Sequence, residues 1–389
     1  MTGNRTLHNV ASVVGIGHTD WPADYTRVRG GEKPFDSYGY GAVALKRALD
    51  DACMKAADID GLVVSHMAYE RAGELYGISP RWGSTAGAID AVMQACMAIQ
   101  SGLAEVVALV YGNDQRSAKV QYGGPAAMGG DMMLSYVYYA PWGMTSQGAL
   151  YALMHQRYMA LHGATSADLG QVAVAQRAWA INNPAAVMKK PLTLEDYLAA
   201  EFVAEPLRLF DYCMINDGGV AIIIAEAERA AQITSRQVPI VSVGRADMNE
   251  EATSLRPRLI DFYHPAHQLA AKQVYDMAGL GPGDMDGVLI YDSFSCHVIY
   301  ALEGFGFCNI GEAGAFMRET GIGPGGRLPV NSHGGHLSES YMQGWAHQLE
   351  AVRRLRGESP GPQYDRCRHV QYISDVGGKV ASIIYGAAR

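Results

Sequence analysis

Apolar runs without polar alternation recur along the chain: Val10 to Gly17 (VASVVGIG), Gly61-Leu-Val-Val64, Val238 to Gly244 (VPIVSVG) and Gly287-Val-Leu-Ile290. Such runs predict strands buried on both faces, as in a mixed sheet covered by helices, and the Ala-rich stretches between them predict those helices. Two further runs each follow a glycine pair: Gly218-Gly-Val-Ala-Ile-Ile-Ile224 and Gly377-Gly-Lys-Val-Ala-Ser-Ile-Ile384.

The runs form two series in the same order. Asp58-Ile-Asp60-Gly61 is echoed by Asp284-Met-Asp286-Gly287, and Val10–Gly17 by Val238–Gly244. The helical stretch ending Gln94 to Gly102 is matched by Gln348 to Gly357, and each half closes on its glycine pair and strand. Any one match is an ordinary strand entry or turn. Four in the same order predict an internal duplication, with an N-terminal half at residues 1–235 and a C-terminal half at 236–389, divided at the polar stretch before Val238-Pro239. Residues 113–204 have no counterpart in the second half and predict an inserted helical loop subdomain, a usual place for a lid or binding loop.

With 389 residues, nearly half of them hydrophobic, the chain can bury a large core. The net charge of -8 and the lack of a basic stripe argue against nucleic acid as a partner. Cys53, Cys96, Cys213, Cys296, Cys308 and Cys367 are scattered, with no CxxC pair and no His cluster at ligand spacing, so neither a disulfide framework nor a metal site is expected. No apolar run reaches the ~20 residues of a membrane helix, and Met1 to Val10 is polar, which leads to the expectation of a cytoplasmic protein without membrane insertion.

Val13-Val-Gly-Ile-Gly17, Asn183-Pro184, Pro206-Leu-Arg-Leu-Phe-Asp211, Asp217-Gly-Gly219, Tyr291-Asp-Ser-Phe294, Gly304 to Phe316 and Leu328-Pro-Val-Asn-Ser-His-Gly-Gly335 follow one another in an order that resembles the thiolase superfamily from end to end, in its sterol-carrier-protein-x or lipid-transfer-protein branch. The resemblance implies an α/β duplicated thiolase fold: two five-stranded mixed sheets with helices in αβαβα layers, plus the inserted loop subdomain.

The residues that thiolases use are changed here. By resemblance, Thr85 stands at the acylated cysteine with Ser84 beside it, Tyr341 at the histidine, Asp375 at the second cysteine, and Tyr291 at the asparagine that helps hold the thioester oxygen. A threonine without an adjacent base is a poor nucleophile. Loss of the acyl-enzyme residues with gain of two tyrosines resembles the steroid side-chain aldolases of the superfamily, which cleave a β-hydroxyacyl-CoA into a ketone and a shorter acyl-CoA.

In that chemistry Tyr291 and Tyr341 handle protons, one accepting from the substrate hydroxyl and the other donating towards the enolate or α-carbon. His333 and His336 are candidates to tune Tyr341 or to act as base, Asp292 to orient a partner, and Asp375 to assist proton transfer. Backbone N–H groups at Thr85, taken as a helix N-terminus, and at Gly377, in the C-terminal glycine turn, are candidates to hold the oxyanion.

Coenzyme A enters as part of the substrate, with no tightly bound cofactor implied. Arg157, Arg177, Lys189 and Lys190 of the insert are candidate phosphate partners, and Met128 to Met144, dense in Met, Tyr and Trp, a candidate wall for a large acyl group or a subunit interface. The resemblance further implies a homodimer that joins an OB-fold, zinc-ribbon partner protein in a heterotetramer. The alternatives are an acyltransferase whose nucleophile is Ser84, Thr85 or another cysteine, and an inactive thiolase-like scaffold that binds acyl-CoA.

Overall fold

Asp60 and Asp286, the duplicated aspartates, perform the same task in the two halves. Asp60 Oδ1 accepts from the backbone N–H groups of Glu105 and Val106 (2.9 and 2.8 Å), and Asp286 Oδ2 from those of Arg368 and His369 (2.6 and 3.0 Å). Each carboxylate thereby pins the start of the neighbouring strand, and each also pairs with an arginine, Arg81 or Arg366. A computed structural model of the chain describes residues 6–119, 140–142, 146–247, 264–376 and 379–388.

The first half runs β1 (Ala11–His18), α1 (Trp21–Arg29), α2 (Ser37–Ala52), β2 (Gly61–Ser65), α3 (Tyr69–Tyr76), β3 (Trp82–Thr85), α4 (Ala88–Gln100) and β4 (Val106–Asn113). The insert contributes α5 (Gln147–His162), α6 (Ser166–Ile181) and α7 (Leu194–Ala199). The short hairpin β5 (Phe202–Ala204) and β6 (Leu207–Arg208) follows, then β7 (Gly218–Glu226) and α8 (Ala227–Ile233). The second half holds β8 (Val238–Asp247), α9 (His264–Ala278), β9 (Gly287–Ile290), α10 (Cys296–Gly304), α11 (Ala313–Thr320), α12 (Gly335–Ser338), α13 (Trp345–Arg356), β10 (His369–Val376) and β11 (Lys379–Gly386).

Strand order repeats with the sequence. The first half pairs as β3-β2-β4-β7-β1 and the second as β8-β11-β10-β9, each with parallel strands at its far end and antiparallel strands towards the centre. The place that β3 holds beside β2 is taken in the second half by one parallel bridge, Val288 to Val330, so this half has four full strands among the described residues where five were expected. The halves join edge to edge through Ser12 opposite Pro239 and Val13 opposite Val238, which makes one nine-stranded sheet.

Helices cover this sheet in layers. Outside, α2 lies on β1, β4 and β7, and α9 lies on β8 and β11. Between the halves, α4 rests on β2 and β4 and reaches β11, while α13 rests on β9 and β10 and reaches β1 and β7. The outer helices sit close because a side chain is missing beneath each: a Cβ at Gly17 would strike the α2 backbone at Ala44, and one at Gly244 the α9 backbone at Ala270. The central strands are buried on both faces as their sequence predicts; Val220 to Ala225 are all 0% exposed. Each such valine or isoleucine stabilises the fold by roughly 1.5–3 kcal/mol relative to exposure.

Candidate active site

The second half and the segment preceding β7 build the site. Beyond β9, Tyr291 donates its N–H to Ile373 O of β10 (2.8 Å) and so prolongs the ladder by one residue. Asn331 clamps the preceding position: Oδ1 accepts from Ile290 N (2.7 Å) and Nδ2 donates to Ile290 O (2.9 Å). Tyr341 follows α12, and its N–H donates to Asn216 Oδ1 (2.7 Å), a residue of the first half. These backbone anchors bring the two hydroxyls 3.0 Å apart, on side chains only 7% and 5% exposed.

His336 is the wedge between them. Its ring stands edge-on to both tyrosine rings, 4.8 Å between centroids in each case. Burial, with His347 and His333 as neighbours, holds its pKa well below the ordinary imidazole range, so the ring is neutral. Nε2 accepts from Gly344 N (2.9 Å), which places the proton on Nδ1, 3.4 Å from Asp292 Oδ1. Asp292 also accepts from His336 N (2.9 Å) and Leu337 N (3.3 Å) and lies 3.0 Å from His347 Nε2. It is therefore the buried anchor of α12, where a solvated turn residue is the commoner reading of an Asp at a strand end.

Asp292, His336 and His347 offer ligand-type atoms within 4.8 Å of one another. The hydrogen bond from Gly344 argues against a cation there, because an Nδ1 that carries the proton has no lone pair to give.

His333 points elsewhere. Its ring lies 4.5 Å from that of His347, Nε2 is 3.8 Å from Glu339 Oε2, and burial keeps it neutral. Glu339 is pushed up to about 8 by burial, against the pull of Arg353 and the Asn183 hydrogen bond, so at neutral pH its carboxyl is mostly protonated. Of the two histidines, His336 and not His333 touches Tyr341.

Asp375 is also turned away from the pair. Alternate residues of a strand face opposite sides, and Asp375 shares its side of β10 with Ile373 of the outer core while Tyr372 packs into the middle layer. Its Oδ2 lies 3.3 Å from His267 Nε2 and 3.4 Å from His297 Nδ1. Burial alone raises such a carboxyl, but the two histidines outweigh it and hold Asp375 well below the usual range.

Thr85 is the last residue of β3, exposed and paired in register with Val64, and not the first of a helix. The extended Gly87 is the N-cap of α4, so the free N–H groups of that helix begin after it. Ser84 Oγ donates to Gln94 Oε1 (2.5 Å), an amide and no base. Gly377 and most of Met128–Met144 lie outside the described residues. Burial pushes the thiols of Cys96, Cys213 and Cys296 up, Cys96 to about 12, which leaves them protonated and inert.

The four candidate phosphate partners divide. Arg177 is buried: Nε donates to Ser338 Oγ and Nη1 to Lys190 O, both at 2.8 Å, which makes it a brace between α6 and α12. Arg157, Lys189 and Lys190 are exposed on the insert, with Lys189 Nζ donating to Pro184 O (3.1 Å). Asn216, Asn331 and His347 carry no local signature, since each acts through an element distant in the chain.

Residues 249–385 match the thiolase C-terminal domain-like family. The 17-hydroxy-3-oxo-4-pregnene-20-carboxyl-CoA lyase of Mycobacterium tuberculosis is 35% identical over 401 residues, covering 98% of this chain and 100% of that protein. The steroid side-chain-cleaving aldolase of Thermomonospora curvata is 33% identical, over 98% of this chain and 99% of its own. Among solved structures, the Ltp2-ChsH2(DUF35) aldolase superposes with a TM-score of 0.88 at 30% identity, over 99% of both chains. The chain belongs to the thiolase superfamily, in the group of the steroid side-chain-cleaving aldolases.

Proposed function

We propose that the chain is an acyl-CoA retro-aldolase that cleaves a β-hydroxyacyl-CoA, a steroid side-chain thioester, into a ketone and a short acyl-CoA such as propionyl-CoA, without an acyl-enzyme. The observation that carries this reading is the 3.0 Å contact between the Tyr291 and Tyr341 hydroxyls, on residues that by resemblance stand in place of the thiolase Asn and His. One tyrosine accepts the β-hydroxyl proton while passing its own to its partner across the 3.0 Å contact, as the carbon–carbon bond breaks. Its partner donates to the enolate or its α-carbon, and the bond between the two hydroxyls offers a path to redistribute the proton. Net proton balance is zero, so neither His333 nor Asp375 is needed in the cycle. His336, neutral and held through Nε2 by Gly344 N, positions the rings.

Coenzyme A is substrate, and the exposed Arg157, Lys189 and Lys190 are its proposed phosphate partners. The likeness to the Ltp2-ChsH2(DUF35) aldolase supports a DUF35-type partner; that this partner is of the OB-fold, zinc-ribbon kind and joins a homodimer in a heterotetramer is part of the proposal. Among the described residues no helix is long and apolar enough to cross a membrane, which fits the proposed cytoplasmic setting. The test incubates the protein, with and without such a partner, with a steroid β-hydroxyacyl-CoA and follows ketone and short acyl-CoA. Undiminished turnover in both Tyr291→Phe and Tyr341→Phe would sink the reading.

A further inference from the structure

We propose that Ser293, His297 and Asp375 form a second, nucleophilic centre beside the tyrosine pair, which hydrolyses acyl-CoA thioesters. The proposal rests on the reading above only in taking acyl-CoA as the ligand. Ser293 lies in the loop between β9 and α10, His297 in the first turn of α10, and Asp375 on β10. Ser293 Oγ is 3.0 Å from His297 Nε2, and His297 Nδ1 is 3.4 Å from Asp375 Oδ2.

The direction of the chain follows from its acid end. An ionised carboxylate only accepts, so a neutral His297 facing Asp375 Oδ2 carries its proton on Nδ1 and presents the Nε2 lone pair to the Ser293 hydroxyl. Serine, base and orienting carboxylate then stand in the order that makes a hydroxyl nucleophilic, and the 3.4 Å step has the slack usual before substrate binds. His267 Nε2 lies 3.3 Å from the same oxygen, Asp375 Oδ2. His297 and Asp375 are buried while Ser293 keeps partial exposure, as a nucleophile requires.

The centre adjoins the tyrosine pair through His297, whose ring stands edge-on to Tyr291 at 6.0 Å and lies 4.5 Å from the Tyr151 ring. Ser84, bonded to an amide, has no such base.

The step balances without a further reactant. Ser293 Oγ bonds to the thioester carbonyl carbon and gives its proton to His297; the carbon–sulfur bond breaks, and His297 returns the proton to the coenzyme A sulfur. Water then attacks the serine ester, His297 takes its proton and passes it to Oγ, and a carboxylic acid leaves.

The experiment supplies the full chain, alone and with a DUF35-type partner, with butyryl-CoA. This probe has no β-hydroxyl and cannot undergo retro-aldol cleavage, which in any case leaves the thioester intact. Free thiol is followed with a disulfide reagent and the protein by intact mass. The expected result is thiol release above the enzyme-free rate, a butyryl adduct mapped to Ser293, and a loss of about 100-fold or more in Ser293→Ala, with its thermal melt checked against the parent. Thiol release at the enzyme-free rate, or undiminished release in a folded Ser293→Ala, overturns the proposal. A parallel assay with a steroid β-hydroxyacyl-CoA separates the two readings: ketone without thiol release sinks this centre alone, and thiol release without ketone sinks the retro-aldolase alone.

Discussion

The Tyr291 hydroxyl lies 3.0 Å from the Tyr341 hydroxyl, although one side chain follows a strand and the other a short helix, each anchored by its own backbone bond. Two phenols in contact act as one proton-handling unit, and residues that act as a unit are not additive on removal. Tyr291→Phe and Tyr341→Phe are each expected to lower kcat by ~10²–10⁴. The double variant should be little worse than the more damaged single one. Steady-state kinetics on one β-hydroxyacyl-CoA decide this; multiplicative losses would mean independent roles.

Asp292 holds α12 and His347 together from a fully buried position, accepting from two backbone N–H groups and facing His347 Nε2. Asp292→Ala leaves three buried donors short of an acceptor, and a loss of about 3–5 kcal/mol of stability is expected. Asp292→Asn keeps one acceptor and should cost less, about 1–3 kcal/mol. Urea denaturation of the three proteins checks the ranking.

The strands were legible because each is a local pattern, an unbroken apolar run, and the two tyrosines that the structure brings together were singled out only through the family resemblance. What escaped was set by the fold. Asp375 was expected near the proton-handling groups, but the two-residue period of β10 turns it to His267 and His297. Arg177 has the residue type of a phosphate partner, yet its position on α6 buries it against Ser338. Thr85 missed the helix start because Gly87 delays α4. Asn216 and Tyr341 come from different halves, and nothing local in either stretch announces their bond.

Gly344 is demanded twice. Its φ of +84 is one that side chains disfavour, and a Cβ there would collide with the Tyr372 hydroxyl and approach Tyr291 Cδ2 to 3.3 Å. Gly344→Ala is expected to destabilise by about 2 kcal/mol or more and to lower kcat by shifting the Tyr291 ring. Tyr372→Phe removes the colliding oxygen, so the Gly344→Ala, Tyr372→Phe double variant should recover part of the stability and retain the φ strain of about 1 kcal/mol. A double variant no more stable than Gly344→Ala would show that the collision is not the cause. Thermal and urea melts supply the comparison.

Glu339 makes stability depend on pH in a direction opposite to that of a paired carboxylate. Its folded pKa of about 8 lies above the ~4.3 of an unfolded glutamate. Between these values the folded state keeps a proton that the unfolded chain releases, so stability falls as pH rises through this window and levels off above it. The loss across the window is on the order of 5 kcal/mol at most, since each unit corresponds to about 1.4 kcal/mol. Asp375, held low, acts in a separate range: its contribution is present above about pH 4 and is lost as pH falls further. Glu339→Gln keeps the acceptor for Asn183 and cannot ionise, so its denaturation free energy should decline less than that of the parent between pH 5 and 8, with the largest difference at the alkaline end. Parallel pH profiles for the two proteins would place the Glu339 carboxyl in its ordinary, ionised range.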